Sequence, residues 1–472
     1  MKHSVFLFFL CFLNSIVIHA QIKMPSFFSD NMIMQQKAKV SIWGKDIPNT
    51  VIKITSSWGN QSSTTSDSNG FWKTTIKTKA ASFLPQTVTI SGSNTKTLKN
   101  ILIGEVWFCS GQSNMEMPLE GLRKSKVLNA ENYFRIANNK HIRLFNNART
   151  ASVFPAFDVN GTWKVSNLET AQKFSAIGYI FGVKLYKTLN IPIGIIESAW
   201  GGTKIESWIP KADLLKYEDI KFLNDLPKKQ NQQKKPTFLY NAMIHPFQDF
   251  KVKGILWYQG ESNRNKPEQY YGYMEDLIHS WRQQWNTKRL PFHFVQIAPF
   301  DYTKHKKSSG IQANIIREAQ HRISQNIKNT AMVVTTDAGD CEDIHPSKKE
   351  IVALRLANSA LAEHYGVKSF NYRNAELKKI VINNAQVLLE FNFDKNDFFI
   401  DNNHVKGFAV ASSDRKFYPA KVTFTNDKKS IILHSKKVKD PVAVRYGFSN
   451  CFESNLKTNS GLPISVFRTD NW

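Results

Sequence analysis

The sequence predicts an α/β protein in which a parallel sheet is covered by helices on both faces and flanked by β-rich regions. From residue 101 to residue 368, short apolar runs alternate with segments whose apolar residues recur at helical spacing. Before and after this stretch, short β-type runs are separated by polar turns. We therefore predict a β-sandwich over residues 21–100, an α/β domain over 101–368, and a second β-rich region, also of sandwich type, over 369–472.

The first twenty residues are typical of a secretory signal peptide. Lys2 and His3 precede an apolar run over residues 5–17, and Ala20 supplies a small residue at the cleavage position. The run is shorter than the roughly 20 apolar residues that a membrane-spanning helix needs, although an uncleaved anchor is the alternative. We expect a secreted or periplasmic mature protein that has no membrane span.

Composition and charge narrow the class of protein. Hydrophobic residues make up 42% of the 472 residues and charged residues 21%, which excludes a largely disordered or collagen-like chain. The formal net charge is +25, but the lysine pairs are scattered and no nucleic-acid-recognition motif accompanies them. We expect a solvated basic surface that attracts anionic glycans mildly, and no nucleic-acid ligand.

Four cysteines are too few to form a disulfide framework. Signal cleavage would remove Cys11 and leave Cys109, Cys341 and Cys451, so at least one thiol stays free. Because Cys109 lies in an apolar run, we expect it to be a small buried side chain.

The elements of the two outer regions are predicted from strand composition and turns. In the N-terminal region, Asn69-Gly70 before Phe71 is typical of a hairpin turn. The predicted N-terminal strands include residues 40–43, 51–54 and 88–90. In the C-terminal region, alternation over residues 387–391 predicts a strand.

The elements of the α/β domain follow from nearly continuous apolar runs and from helical spacing. Such runs are typical of parallel strands buried on both faces. The predicted strands are residues 101–109, 193–196, 254–258, 292–297 and 331–336. The predicted helices lie within residues 174–185, 315–323 and 351–365. A polar loop is predicted at residues 228–236.

Residues with catalytic chemistry follow four of these five strands. In an open parallel sheet, ligands bind beyond the carboxyl ends of the strands. Ser113 follows the first strand, Gly201-Gly202 the second, Asn263 the third and His345 the fifth. The sequence therefore predicts one site that combines a serine, a glycine pair, an amide and an imidazole.

This combination suits acyl transfer. Ser113 would act as nucleophile if His345 accepts its proton, and a carboxylate such as Asp343 or Glu342 would hold the imidazole tautomer. The N–H groups of Gly201 or Gly202, together with the Asn263 amide, would receive a tetrahedral oxyanion. Each feature alone has a common structural explanation, since loop serines, Gly-Gly pairs and His-Pro usually form turns or begin helices. Their coincidence at one sheet edge favours a hydrolase.

Six ordered motifs resemble the sialate O-acetylesterase family of the SGNH hydrolases. They are GQSNM (111–115), WGGT (200–203), ESW (206–208), WYQGESN (257–263), REAQ (317–320) and DIHP (343–346). The resemblance spans residues 25–470. It implies a flavodoxin-like three-layer α/β/α catalytic domain and a reaction that needs no metal or organic cofactor.

The resemblance also implies residue roles. Ser113 would be the nucleophile, His345 the base, and the oxyanion hole would consist of the Ser113 N–H, the WGGT glycines and Asn263. The family pattern Asp-x-His-Pro favours Asp343 as the acid. Glu342, three residues before the histidine, and Glu318 in REAQ stay open as a helper acid. Gln112 and Glu261 would either orient substrate or brace the loops by hydrogen bonds.

The function expected from residues and resemblance together is a serine esterase that removes O-acetyl groups from sialic acids. The substrate partner would then be an O-acetylated sugar. An acetyl esterase for plant polysaccharides such as acetylxylan is the alternative among enzymes. A non-catalytic glycan-binding protein, or more weakly a basic-surface adhesin, is the alternative outside enzymes.

Overall fold

The computed structural model describes residues 21–122, 124–227, 231–304, 310–400 and 404–472. The predicted signal peptide, residues 1–20, lies outside the described residues, as do residues 228–230 of the predicted polar loop. Within the part of the chain that the structure describes, no helix is long and apolar enough to cross a membrane.

The N-terminal region consists of strands, the last of which continues into the α/β region. The strands are β1 (Ile33–Gln35), β2 (Lys39–Lys45), β3 (Val51–Ser56), β4 (Gln61–Thr65), β5 (Phe71–Lys77), β6 (Ser82–Ser91) and β7 (Thr95–Gly111). Strand β7 first pairs with β6 and β1, and from Glu105 onward it pairs with strands of the central sheet. The strand is therefore continuous across residues 100 and 101, where the sequence predicts a change of domain.

The hairpin predicted at Asn69-Gly70 is wrong in its pairing. A turn closes there, with the Gly70 N–H donating to the Asp67 carbonyl. The flanking strands do not pair with each other, because β4 pairs with β3 and β5 with β2. The turn thus carries the chain from one sheet to another, which a local turn signal does not reveal.

The α/β region contains the central sheet. Its further strands are β8 (Asn139–Asn146), β9 (Trp163–Ser166), β10 (Ile193–Ala199), β11 (Gly254–Tyr258), β12 (Phe292–Val295) and β13 (Thr330–Val333). Their order is β13-β12-β11-β7-β10-β8-β9. All neighbouring pairs are parallel except β8 with the edge strand β9. The predicted parallel sheet is confirmed, with β7 near its centre.

Helices separate these strands along the chain. The α-helices are α1 (Ser113–Glu116), α2 (Ala130–Phe134), α3 (Leu168–Gln172), α4 (Ala176–Leu189), α5 (Lys211–Leu214), α6 (Tyr270–Gln284), α7 (Gln312–Asn326) and α8 (Lys349–His364). Short 3₁₀ helices are Ile205–Trp208, Gln232–Lys234, His245–Phe247, Glu261–Asn263, Pro267–Gln269 and Tyr302–Lys304, and a π-helical turn is Tyr240–Ile244.

Alternate side chains of β7 enter two different cores. Phe108 belongs to a buried cluster that also holds side chains of α6 and α7. Its neighbours Trp107 and Cys109 belong to a second cluster, which holds side chains of α4 and α8. Both faces of the sheet are therefore covered, which explains why this strand is apolar without alternation.

The C-terminal region forms two antiparallel sheets. Its strands are β14 (Glu376–Asn383), β15 (Gln386–Asn392), β16 (Phe408–Ala411), β17 (Phe417–Pro419), β18 (Lys421–Phe424), β19 (Ser430–His434), β20 (Ala443–Tyr446) and β21 (Phe467–Arg468). The strand orders are β14-β15-β19-β18 and β17-β16-β20-β21. Leu389 of the first sheet and Val410 of the second lie in the same buried cluster.

The cysteines divide as one pair and one free thiol. A disulfide joins Cys341, which lies shortly before His345, to Cys451 of the C-terminal region. Cys109 is a buried free thiol, as expected, and burial raises its pKa well above the usual value. The prediction that at least one thiol stays free is confirmed.

Candidate active site

Ser113 lies at the carboxyl end of the central strand. Strand β7 ends at Gly111, and α1 begins at Ser113. Gly111 pairs with Tyr258 of β11 on one side and with Ala199 of β10 on the other. Its φ of +136° favours glycine, and a Cβ there would overlap the Tyr258 carbonyl oxygen. The glycine of GQSNM thus allows the sharp exit that presents Ser113 between the loops after β10 and β11.

His345 and Asp343 share the loop that precedes α8. The Asp343 Oδ1 atom accepts a hydrogen bond from the backbone N–H of His345 at 2.8 Å, and its Oδ2 accepts one from the Ser125 hydroxyl. The same Oδ1 lies 3.8 Å from His345 Nδ1, which is beyond hydrogen-bond range. In this conformation the Asp343 carboxylate therefore holds the loop backbone by a hydrogen bond. It acts on the imidazole only through its negative charge.

The environment of His345 favours the neutral imidazole. Burial lowers its pKa below the usual value, the Lys349 ammonium lowers the pKa further, and Asp343 opposes both. A neutral imidazole is the form that accepts a proton.

The segments that carry Ser113 and His345 are in contact through the neighbouring residues Asn114 and Ile344. The Asn114 side-chain amide donates to the Ile344 carbonyl at 3.0 Å, so α1 and the His345 loop are in contact. Among the described residues, none forms a hydrogen bond with Ser113 Oγ. Catalytic hydrogen bonds are often long before substrate binds, so this geometry is compatible with a nucleophile and its base.

Gly201 lies against Ser113, but its N–H already has an acceptor. A Cβ at Gly201 would approach Ser113 Cβ to 3.2 Å. The Gly201 N–H donates to Glu116 Oε2 at 2.8 Å, and Glu116 also pairs with Arg149. In this conformation Gly201 therefore does not offer the free oxyanion donor that the sequence predicts. Gly202 has a φ of +72° and open space where a Cβ would lie.

Asn263 is buried and held from both sides. Its Oδ1 accepts from the Ile205 N–H at 3.0 Å and from the Gln259 amide at 2.7 Å. Its Nδ2 donates to Glu206 Oε2 at 2.6 Å. An amide nitrogen carries two protons, so one N–H of Asn263 has no hydrogen-bond partner among the described residues. Glu206, in the ESW motif, therefore orients this amide, a role that the sequence analysis missed.

Gln112 and Glu261 make the bracing contacts that were one of their two expected roles. Gln112 Oε1 accepts from the Ser262 N–H at 3.4 Å, which joins the loops after β7 and β11. Glu261 Oε1 accepts from the Asn114 amide at 2.6 Å, while its buried Oε2 lacks a partner among the described atoms. Burial raises the pKa of Glu261.

The two alternative acids lie in different surroundings. Glu342 is exposed, and its backbone N–H donates to Asp340 Oδ1 at 2.8 Å. Both carboxylate oxygens of Glu318 accept from Arg468 of β21, at 3.2 and 3.1 Å. The Glu318 carboxylate is thus occupied by a salt bridge that connects α7 to the C-terminal region. The identity of the acid stays a prediction, and Asp343 is the candidate that contacts the His345 loop.

Two further residues, Asn114 and Lys349, were missed by the sequence analysis. Lys349 Nζ donates to Asn114 Oδ1 at 2.7 Å and to the Pro346 carbonyl at 2.9 Å. Burial lowers the pKa of Lys349 to about 7, against the opposing charges of Glu261 and Asp343. Asn114 could have been suspected from its place beside Ser113 in GQSNM, whereas Lys349 is one member of an ordinary lysine pair.

A possible metal-ligand group lies elsewhere. Among the described residues, His293, Glu363 and His364 place their ligand atoms within 4.8 Å of one another. His293 is near the start of β12 and His364 ends α8, whereas the candidate site adjoins the start of α8. This group therefore has no part in chemistry at Ser113.

Comparison with known proteins gives matches over most of the chain. A family model described as a carbohydrate esterase, sialic acid-specific acetylesterase, matches residues 103–362. The sialate O-acetylesterase of Mus musculus is 28% identical over 490 residues, covering 90% of this chain and 89% of the mouse protein. The sialate O-acetylesterase of Homo sapiens is 30% identical over 407 residues, covering 76% and 74% of the two chains.

A solved structure matches as well. The crystal structure of a carbohydrate acetylesterase from Xanthomonas citri is 31% identical, with a TM-score of 0.86. The match covers 96% of this chain and all of that one. Fold and sequence together therefore define a carboxylic ester hydrolase of the carbohydrate esterase type. The chain belongs to the sialic acid-specific acetylesterase family.

Proposed function

We propose that this protein is a serine esterase that removes O-acetyl groups from sialic acids. The observation that carries the proposal is the hydrogen bond between Asn114 and Ile344, which joins the segments that carry Ser113 and His345 at the carboxyl edge of the sheet. Membership of the family, and relatives named sialate O-acetylesterase, support the substrate class. The net charge of +25 favours approach of an anionic sugar.

In the proposed reaction His345 accepts the Ser113 proton while Ser113 Oγ attacks the acetyl carbonyl. The Ser113 and Gly202 N–H groups and the remaining Asn263 N–H would stabilise the oxyanion of the tetrahedral intermediate. His345 then protonates the leaving sugar oxygen, which yields an acetyl-enzyme and the free sugar alcohol. Water, deprotonated by His345, hydrolyses the acetyl-enzyme to acetate and regenerates Ser113. Asp343 would hold the His345 loop and favour the imidazolium that forms in each step.

The proposal extends to architecture and location. The central sheet and its two helix-bearing cores would form the flavodoxin-like three-layer arrangement of the SGNH hydrolases, with β-sandwiches at both ends. Such an enzyme, made with a signal peptide over residues 1–20, would act in the periplasm or outside the cell.

One rival substrate class has an observation in its favour. The similar structure from Xanthomonas citri is named a carbohydrate acetylesterase, which does not specify a sialic acid. Acetylated plant polysaccharide such as acetylxylan is therefore the second candidate.

The test is acetate release by the purified protein from O-acetylated sialic acid and from acetylated xylan, measured side by side. Ser113→Ala and His345→Ala should abolish release. Ser347→Ala and His279→Ala, at exposed positions, serve as matched controls and should retain the wild-type rate. Release mainly from xylan would show that the substrate is an acetylated polysaccharide, and the proposed serine esterase mechanism would stand. Absence of release from either substrate, with glycan binding retained, would favour a binding protein.

A further inference from the structure

The backbone on both sides of His345 is held by two buried side chains. The Ile344 carbonyl accepts from Asn114 Nδ2 at 3.0 Å, and the Pro346 carbonyl accepts from Lys349 Nζ at 2.9 Å. These two carbonyls flank the residue whose imidazole must face the nucleophile. The position of His345 is therefore fixed by contacts that do not involve its own ring.

The two side chains also bind each other and a carboxylate. Lys349 Nζ donates to Asn114 Oδ1 at 2.7 Å, and Asn114 Nδ2 donates to Glu261 Oε1 at 2.6 Å. The exposed fractions of the three residues are 1% for Asn114, 1% for Lys349 and 2% for Glu261. Asn114 directly follows Ser113 in α1, so the same amide that holds the His345 loop is attached to the nucleophile.

We propose that Glu261, Asn114 and Lys349 form a positioning clamp that sets the separation of Ser113 and His345. The inference rests on the proposed function of Ser113 and His345. None of the three residues is assigned a chemical step, and each acts through the serine or the histidine.

The choice of polar residues supports a positioning role. Three buried polar side chains cost free energy unless they are hydrogen-bonded, and an apolar contact would hold the two segments together at less cost. Hydrogen bonds, unlike apolar contacts, fix direction as well as distance. In Asn114 both the oxygen and the nitrogen are used, so the amide has one orientation.

The charges around the clamp give it a second effect. His345 faces Lys349, which lowers its pKa, and Asp343, which raises it. Lys349 in turn faces Glu261 and Asp343, and both raise its pKa against the effect of burial. Glu261 faces Lys349 and Arg317, and both lower its pKa. Removing the ammonium should therefore raise the pKa of His345 and move the acid limb of kcat/KM to higher pH.

The experiment compares Lys349→Met, Lys349→Gln and the control Lys348→Met. Lys348 is the neighbouring lysine, and its Nζ donates to the Asp337 carbonyl at 3.3 Å, outside the clamp. For Lys349→Met we expect kcat to fall about 100-fold with KM nearly unchanged, as for a misplacement of about 1 Å. The midpoint of the acid limb of kcat/KM should move to higher pH by about 1 unit, the effect of removing a nearby charge. Lys349→Gln keeps a donor without the charge, so it should show the same shift and a smaller loss of kcat.

A second measurement does not depend on turnover. The titration of the His345 ring is followed by NMR in Ser113→Ala and in Ser113→Ala/Lys349→Gln, and the second protein should titrate at higher pH. Wild-type kcat and an unshifted acid limb in a folded Lys349→Met or Lys349→Gln protein would overturn the clamp. An unshifted titration of the His345 ring would contradict the predicted effect of the Lys349 charge on the pKa of His345. If Ser113→Ala itself retains the wild-type rate, it is the proposed function that fails.

Discussion

Removing the disulfide between Cys341 and Cys451 should destabilise the protein and leave catalysis nearly intact. The bond closes a loop with a sequence separation of 110 residues. For loops on the order of 100 residues, the chain-entropy model gives about 4.7 kcal/mol of stabilisation, and measured values are typically about 2–4 kcal/mol. This contribution acts on the unfolded chain, which gains freedom when the bond is absent.

The folded geometry has other supports at both ends of the bond. The Cys341 carbonyl accepts from the Asp301 N–H at 3.1 Å. Beside Cys451, the Asn450 carbonyl accepts from the Arg317 guanidinium at 2.9 Å, and the Asn450 N–H donates to the Gly310 carbonyl at 2.8 Å. The His345 loop should therefore keep its position without the disulfide.

The assay compares wild type with Cys341→Ser/Cys451→Ser in urea unfolding and in acetate release. We expect a loss of about 3 kcal/mol in the free energy of unfolding, with kcat within about threefold of wild type. A reducing agent should lower the stability of wild type and have no effect on the double variant. A kcat reduced more than about tenfold with unchanged stability would refute this reasoning, because the bond would then position the catalytic loop.

Three further predictions concern the candidate site. Gly201→Ala should reduce kcat at least about tenfold, because a Cβ at 3.2 Å from Ser113 Cβ and 3.1 Å from Glu116 Oε2 displaces Ser113; an unchanged kcat in the folded variant would contradict the packing argument. Asn263→Ala should reduce kcat by about 10²–10³, the usual loss for one oxyanion donor; a loss confined to KM would exclude that role. Because burial and Lys349 lower the pKa of His345, the acid limb of kcat/KM should have its midpoint below 6.5. In Asp343→Asn the midpoint should fall further, since the carboxylate raises this pKa, and a midpoint that rises would refute the assignment.

The central strands could be predicted from sequence because burial on both faces leaves an unmistakable apolar run. Strand β8 was missed, since Lys140, His141 and Arg143 interrupt its apolar residues near the sheet edge. Helix α6 was also missed, although its buried face is marked by Tyr273, Leu277 and Trp281. These three residues recur at helical spacing, so the periodic signal for this helix was present in the sequence.

The residues of the candidate site that directly follow the central strands could be predicted from the sequence. The parallel sheet brings the segments after its strands to one edge, so Ser113, Asn263 and His345 could be grouped without a structure. Hydrogen bonds made by side chains from segments distant in sequence could not be predicted. The acceptor of the Gly201 N–H and the partner of Lys349 both come from α1, distant in sequence from each.

The continuity of β7 has a consequence for how this chain can be divided. The residues that pair with the N-terminal strands and the residues that lead to Ser113 belong to one strand, and the change of partners occurs near Gly104. A Cβ at Gly104 would overlap the Pro192 carbonyl oxygen, so this crossing point accepts only glycine without rearrangement. The N-terminal sheet is therefore not a module that can be cut away or exchanged at a linker. Removing the residues before Gly104 would shorten the strand that leads to Ser113.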